Sequence, residues 1–102
     1  MRLMTRRSQM EIYMDILKAV AEGRRRPTHI MYRANLSWAR LRRYLNFLVK
    51  QGLLEEDEDD SGSTLYSITL KGKDVLSYFK KIEGELYYRK RALPTEISIH
   101  YK

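Results

Sequence analysis

Two helix-forming segments separated by a very short turn constrain the fold of this 102-residue chain most strongly. Pro27 suits the first turn of a helix, and Asn35 tolerates the left-handed backbone of a tight turn. Ser37 can then cap a second helix, and Gly52 stands where a left-handed residue would end it. That second helix carries its larger apolar residues on one side: Trp38, Leu41, Tyr44, Leu45, Leu48 and Val49. The pattern predicts a helix-turn-helix.

The segments on either side complete the predicted domain. "SQME" at 8–11 has the form of a capping box and predicts a first helix over about 8–22. After the helix-turn-helix, two short apolar stretches are separated by an acidic row at 55–60 and a Ser-Gly-Ser turn, as in a β-hairpin. Three helices followed by a hairpin predict a winged helix-turn-helix domain over residues 1–69, an α+β fold that is mostly α.

A long C-terminal helix is predicted over residues 70–93, capped by Thr69 and stopped by Pro94. Such a helix is too long for a small core to cover, so we expect it to pair with a second copy of the chain. The tail at 94–102 alternates apolar and polar residues, which fits either a short strand or a flexible end. The expected dimer interface follows a coiled-coil rhythm through Val75, Phe79, Ile82, Leu86 and Leu93.

The composition argues against catalysis and for a polyanionic partner. The chain has no cysteine, and His29 and His100 are its only histidines, so we expect no enzyme activity, no metal site and no cofactor. No apolar run is long enough for a signal peptide or a membrane span, which predicts a soluble intracellular protein. The formal net charge is +7 although six of the 13 acidic residues stand in one row, so the rest of the chain is strongly basic.

The basic side of the third helix is the predicted DNA-reading surface. At 100° per residue, the side opposite the apolar one presents Ala39, Arg40, Arg43, Asn46, Phe47 and Lys50. Arginine can bind guanine, and asparagine can bind adenine, through paired hydrogen bonds in the major groove, so Arg40, Arg43 and Asn46 are the candidate readers. For Phe47, a thymine methyl group and the dimer mate both remain open as partners.

Other residues are the candidates for contacting the phosphates of the DNA backbone. Ser37 and Thr28 lie at helix N-termini, which attract anions. Trp38 and Tyr44 are interpreted as core residues because their angles match those of the leucines. Further positioning charge is expected from the loop and the N-terminal arm, through Arg24, Arg25, Arg26, Arg6 and Arg7.

The acidic row at 55–60 needs its own explanation. Asp57 and Asp59 match the start of a calcium-binding loop, but Ile68 stands where that loop requires a bidentate Glu, so we expect no calcium. The predicted β-hairpin is the wing of such a domain. A wing with six carboxylates would be repelled by the phosphates of a DNA duplex. One hypothesis is that the wing stays off the DNA and turns the basic face toward it; the other is that the wing docks on a basic partner or on another subunit.

The stretch around "ANLSW" resembles the small archaeal winged helix-turn-helix DNA-binding proteins, and "ITLKG" at 68–72 is similar to their strand-to-helix junction. The matching residues are Thr28, Ile30, Met31, Tyr32, Ala34, Asn35, Leu36, Ser37, Leu41, Tyr44, Leu45, Leu48, Gly52 and Leu53. The resemblance covers roughly residues 8–90. It implies a homodimer joined through an antiparallel coiled coil of the C-terminal helices, with a DNA-reading domain at each end.

Together these features predict a dimeric protein that binds double-stranded DNA, acts as a transcriptional regulator and is associated with the nucleoid. Two alternatives stay open. The protein could coat DNA without sequence preference as a chromatin or architectural protein. It could also use the winged helix as a protein-interaction module, for which the acidic wing is the positive sign.

Overall fold

The computed structural model describes residues 7–96, with side chains described as far as residue 86. It contains the predicted three helices, hairpin and long C-terminal helix. Along the chain these are α1 (Gln9–Ala21), α2 (Pro27–Ala34), α3 (Trp38–Lys50), β1 (Leu54–Glu58), β2 (Thr64–Ile68) and α4 (Leu70–Glu96).

The helix ends follow the predicted caps. The Ser8 hydroxyl accepts the Glu11 N–H at 3.1 Å, and the Glu11 carboxylate accepts the Ser8 N–H at 2.9 Å, which confirms the capping box of α1. Asn35 adopts a left-handed backbone with φ 56° and ends α2. The Ser37 hydroxyl accepts the Arg40 N–H at 3.3 Å, so α3 begins where the sequence predicts. The helix-turn-helix is thereby confirmed.

The core lies where α1, α2 and α3 meet the hairpin and the beginning of α4. Tyr44 is half-buried against this core, as expected. Trp38 is 48% exposed, so its assignment to the core was wrong. The angle around the axis is right for the core, but Trp38 is the first residue of α3 and lies at the end of the packed layer. The largest fully buried side chains are Ile16, Leu17, Ile30, Leu41, Leu45, Leu48 and Leu54.

Phe47 has a partner that the sequence did not reveal. Its ring stacks on Tyr13 of α1, with ring centroids 5.0 Å apart and planes 17° apart. Tyr13 also meets Tyr44 edge-on at 5.4 Å. These contacts join the outer side of α3 to α1 and stabilise the position of α3 in the domain.

The hairpin differs from the prediction in the extent of its first strand. Four of the acidic residues lie within β1 rather than in the connecting turn, because Glu56 pairs with Tyr66 and Glu58 with Thr64 across the ladder. The Tyr66 hydroxyl donates to the Glu56 carboxylate at 3.0 Å, which holds an acidic residue in the strand. Asp59 then organises the turn by accepting from the Ser61 and Ser63 N–H groups.

Helix α4 begins at the predicted cap, where the Thr69 hydroxyl accepts the Gly72 N–H at 3.0 Å and donates to the Gly52 carbonyl at 2.7 Å. It ends later than predicted, at Glu96 instead of before Pro94. Proline removes one backbone hydrogen bond and crowds the carbonyl four residues earlier, and only three helical positions remain from Pro94 to Glu96. The last residues of the predicted tail, 97–102, lie outside the described residues.

Candidate nucleic-acid interface

Helix α3 exposes the basic surface that the sequence predicts. Between Glu22 and Glu55 the chain has no acidic residue, so no carboxylate from α2, the turn or α3 neutralises it. Among the described side chains, the basic residues of α3 form no ion pair. The exposed residues of this surface, called here the α3 face, are Ala39, Arg40, Arg43, Asn46 and Lys50.

Two of the predicted phosphate contacts lie at helix starts, one in α3 and one in α2. The Ser37 hydroxyl is occupied by capping α3, with its exposed side still open to solvent. Thr28 is exposed in the first turn of α2, whose N-cap residue, Arg26, makes no side-chain capping bond. The first-turn amides of α2 therefore keep the unpaired donors that attract an anion.

The three loop arginines are drawn to acidic partners instead of joining the α3 face. Arg24 pairs with Glu22 at 2.8 Å, and Arg26 pairs with Asp59 at 2.9 Å. Arg25 donates through Nε to the Tyr66 carbonyl at 3.0 Å, and its guanidinium lies 3.9 Å from the Asp57 carboxylate. Residues 24–26 are called here the arginine loop; Arg25 and Arg26 are fastened to the wing, whereas Arg24 pairs with the residue that ends α1.

Two of the six acids of the row, Asp57 and Asp59, lie opposite the arginine loop. Hydrogen bonds from Ser61, together with Arg26, hold the pKa of the Asp59 carboxyl well below its usual range. Asp59 therefore remains ionised opposite the arginine loop. Its side chain is also committed to the hairpin turn and to Arg26, so it is not arranged as a calcium ligand. No group of three acidic or histidine residues suited to a metal occurs in the described part of the chain.

Among the other wing acids, Glu56 contacts the Tyr66 hydroxyl. Burial raises the pKa of the Tyr66 hydroxyl to about 12, and the neighbouring Glu56 carboxylate adds to the rise. The charge of Arg42 on α3 acts in the opposite direction on the same hydroxyl, so Arg42 lies on the wing side of the helix. Within the described residues, four exposed acids of the wing have no ion-pair partner: Glu55, Glu56, Glu58 and Asp60. Of these, Glu56 accepts the hydrogen bond from Tyr66.

The predicted N-terminal arm has a different role in the fold. Arg7 donates to the Asp15 carboxylate at 2.8 Å and to the carbonyls of Ala34 and Asn35 at 2.6 and 3.0 Å. Its guanidinium therefore contacts α1 and the helix-turn-helix turn. Arg6 lies outside the described residues.

Sequence reasoning missed two exposed aromatic residues at the helix-turn-helix. Tyr32 near the end of α2 is 77% exposed, and Trp38 at the beginning of α3 is half-exposed. Trp38 is the first residue after the Ser37 cap of α3. That position indicates exposure more strongly than its angle around the helix axis indicates burial. Tyr32 follows two apolar residues and offers no comparable signal in its local pattern.

The predicted dimer interface divides into two parts. Val75 and Phe79 are partly buried against the core of their own chain. Ile82 and Leu86, one turn apart further along α4, are 59% and 60% exposed. Glu83 of α4 forms an ion pair with Lys18 of α1 at 3.5 Å. Helix α4 therefore contacts its own domain at least as far as residue 83. The side chain of Leu93 is outside those described.

Tyr78 is exposed on the same side as Ile82 and Leu86, which gives α4 an apolar strip facing solvent. No helix among residues 7–96 is long and apolar enough to cross a membrane.

Comparisons with known proteins agree with this architecture. A family model described as winged helix-turn-helix matches residues 6–86. Uncharacterized protein MJ0287 of Methanocaldococcus jannaschii is 36% identical over 67 residues, which cover 61% of this chain and 69% of the relative. Uncharacterized protein MJ0290 of the same organism is 29% identical over 82 residues, covering 80% of this chain but 36% of that protein.

Solved structures give the same result. Sso10a-2, a DNA-binding protein from Sulfolobus solfataricus, superimposes with a TM-score of 0.64 and 30% identity, covering 91% of this chain and 99% of the other. The transcriptional regulator BldR from the same organism matches with a TM-score of 0.61 and 20% identity, covering 89% of this chain and 63% of that one. At that identity the BldR likeness concerns the fold alone.

Proposed function

Because this chain belongs to the winged helix-turn-helix family, we propose that it is a dimeric DNA-binding protein that acts as a transcriptional regulator and reads the major groove with α3. Membership of the family establishes the fold. The argument that DNA is the ligand comes from the charge of the α3 face. The similar Sulfolobus protein is described as DNA-binding, which supports the same ligand here.

The observation that carries the proposal is the contrast between two sets of arginines. Those of the arginine loop are balanced by acids of the same chain, whereas Arg40 and Arg43 on the α3 face have no ion-pair partner among the described residues. An exposed helix with uncompensated guanidinium groups fits a groove about 12 Å wide that is lined by phosphates. Asn46 adds a neutral group able to recognise adenine.

The contact surface is proposed to exclude the wing. Its carboxylates on Glu55, Glu58 and Asp60 are exposed and have no ion-pair partner in the described part of the chain, so phosphates would repel them. Backbone contacts then come from Lys50 and from the first turn of α2 at Thr28. Repulsion at the wing also favours approach through the α3 face.

The dimer is proposed to form through α4. Ile82 and Leu86 expose an apolar strip that a single domain leaves uncovered, and a matching strip of a second copy would bury it. A dimer would place two α3 faces on one duplex, which is how dimeric helix-turn-helix proteins read two half-sites.

The test of DNA binding is the triple variant R40A/N46A/R43A on duplexes in a gel-shift assay. We expect at least a tenfold loss of affinity, because one well-made arginine contact to a base contributes about 1–3 kcal/mol. The control is K73A/K81A, which also removes two positive charges from exposed helix positions, but on α4. Equal losses in the two variants, or none in the triple variant, would contradict the proposed surface.

A second experiment distinguishes a regulator from an architectural protein. The affinity for random duplexes and for duplexes selected by the protein is measured as a function of salt concentration. A regulator is expected to bind the selected duplex about 10³-fold or more tightly than random DNA. An architectural protein would give the same salt slope without that preference. If the wild-type protein binds no duplex at low salt, both DNA-binding functions are excluded. The proposed function is then that of a protein-interaction module.

A further inference from the structure

The side chain of Arg7 joins three parts of the domain that are distant in sequence. Its guanidinium donates to the Asp15 carboxylate of α1, to the Ala34 carbonyl at the end of α2 and to the Asn35 carbonyl in the turn. The side chains of Arg7 and Asp15 are 29% and 28% exposed, so the ion pair is largely shielded from solvent.

The two carbonyls that Arg7 binds belong to the turn of the helix-turn-helix. The last carbonyls of a helix have no partner within it and need other donors. Within the described residues, backbone N–H groups bond to Met31 and Tyr32, but none bonds to Ala34 or Asn35. Arg7 therefore supplies donors to the two carbonyls that come immediately before Leu36 and the cap of α3.

An arginine is suited to this position because its donors form a rigid planar fork. One guanidinium can hold Asp15 and two successive carbonyls at the same time, whereas a lysine would offer one nitrogen. Asn35 is already in the left-handed region, where a non-glycine backbone carries strain, so the contact also stabilises an unfavourable conformation.

Resting on the DNA-binding function proposed above, we propose that Arg7 is a positioning residue for DNA recognition. It fixes the turn between α2 and α3, and through the turn it fixes the orientation in which the α3 face enters the groove. Arg7 itself does not contact phosphate. Paired hydrogen bonds to base edges have narrow geometry, so a looser turn lowers the affinity for a preferred sequence more than the affinity for random DNA.

The test uses R7Q, R7K and D15N, with log affinity measured against log salt on random and selected duplexes. For R7Q we expect about a tenfold loss on the selected duplex, less than threefold on the random one, and an unchanged salt slope. A direct phosphate contact instead predicts a slope smaller by about 0.9 and an equal loss on both duplexes. If the wild-type protein shows no sequence preference, the expected result is a loss of affinity at unchanged slope.

The two other variants separate charge from geometry. R7K keeps the charge but not the fork, so we expect it to behave like R7Q; full rescue by R7K would overturn the proposal. D15N removes a negative charge and weakens one of the three hydrogen bonds that hold Arg7. Positioning predicts a smaller preference for the selected duplex, whereas a phosphate-binding Arg7 predicts tighter binding to both duplexes.

A measurement without DNA keeps this proposal distinct from the proposed function. The Leu36 N–H bonds to the Met31 carbonyl at 3.1 Å across the turn. We expect R7Q and R7K to speed hydrogen exchange of this amide about tenfold or more relative to amides in the middle of α1. Unchanged exchange would overturn the role of Arg7 even if the wild-type protein binds DNA, and faster exchange without any DNA binding would overturn only the proposed function.

Discussion

Gly72 permits the close approach of α4 to the hairpin. A β-carbon at this position would collide with the carbonyl oxygen of Leu53 and lie 2.7 Å from a side-chain carbon of Ile68. The Thr69 cap fixes the same turn, so neither neighbour can easily move away. The "ITLKG" segment thus carries a steric requirement as well as a family likeness.

The substitution G72A is expected to lower the free energy of unfolding by about 1–3 kcal/mol, the usual cost of overpacking. Gly84 provides a matched control in the same helix, because a β-carbon there meets nothing within 4 Å. G84A is expected to raise stability by up to about 1 kcal/mol, since alanine is the better helix former. Chemical denaturation of both variants measures the difference, and equal effects would contradict the collision at Gly72.

Tyr66 makes the stability of the wing depend on pH in the alkaline range. The pKa of its hydroxyl is raised to about 12 in the folded chain, compared with about 10 in an unfolded one, so the folded state holds the proton more tightly. Its contribution is complete below pH 10 and is lost as the pH rises toward 12. The loss is on the order of 2 kcal/mol for a side chain this well buried.

The measurement is the free energy of unfolding of the wild-type protein and of Y66F at pH 9 and pH 12. We expect the wild-type protein to lose more stability than Y66F over this interval, because phenylalanine has no proton to release. The comparison cancels the titration of the other tyrosines and lysines. A parallel decline in both proteins would show that Tyr66 ionises freely.

At the scale of the elements, the sequence was most informative where the interactions are local. The capping box at Ser8, the left-handed Asn35 and the Ser37 cap each depend on residues a few positions apart, and the helices begin and end close to them. The strand β1 was placed less well. Acidic residues have low strand propensity, so the sequence did not place them in the ladder; there Glu56 accepts a hydrogen bond from Tyr66 opposite it, and Asp57 lies near Arg25.

The candidate site shows the same limit. The angles of α3 correctly predicted that Arg40, Arg43 and Lys50 are exposed, because a helix fixes the direction of each side chain, but they did not single out Arg42, which is exposed as well. No local pattern could show that the arginine loop meets Asp57 and Asp59, or that Arg7 reaches the turn, since these partners are separated by 27 or more positions in sequence. Pairing across such distances is known only once the fold brings the segments together.

The contact between the arginine loop and the wing leads to a prediction for the double variant D57N/D59N. Asparagine keeps the side-chain oxygen that accepts from Ser61 and Ser63 but loses the charge that holds Arg25 and Arg26. Arg26 is then expected to reach a phosphate, whereas Arg25 keeps its hydrogen bond to the Tyr66 carbonyl. Affinity for random duplex should rise, and the salt slope should steepen by about 0.9 for each arginine that gains a phosphate.

The control is E55Q/E58Q, which removes the same charge from exposed acids that have no ion-pair partner among the described residues. It is expected to raise affinity by reducing repulsion while leaving the salt slope unchanged. Identical slopes for the two double variants would show that the arginine loop lies too far from the duplex to contact it, even when released.

At the scale of the whole molecule, the exposed part of α4 is the surface through which the proposed dimer would form. The principal extents are 58 × 32 × 20 Å, so the described chain is elongated rather than round. The core covers Val75 and Phe79 but leaves Ile82 and Leu86 in solvent. Each copy therefore carries an apolar strip on the part of α4 that its own domain does not cover.

The proposed dimer is tested by I82K/L86K in sedimentation equilibrium. We expect the wild-type protein to sediment at twice the chain mass of 12.2 kDa and the variant to sediment as a monomer, because two lysines facing each other across the interface repel and cannot be buried. S77K/G84K is the control, since it adds the same charge at exposed positions on the opposite side of α4 and should stay dimeric. If I82K/L86K remains a dimer while its circular dichroism is unchanged, then another surface joins the two copies, and the spacing of the two α3 faces on DNA has to be derived from that surface instead.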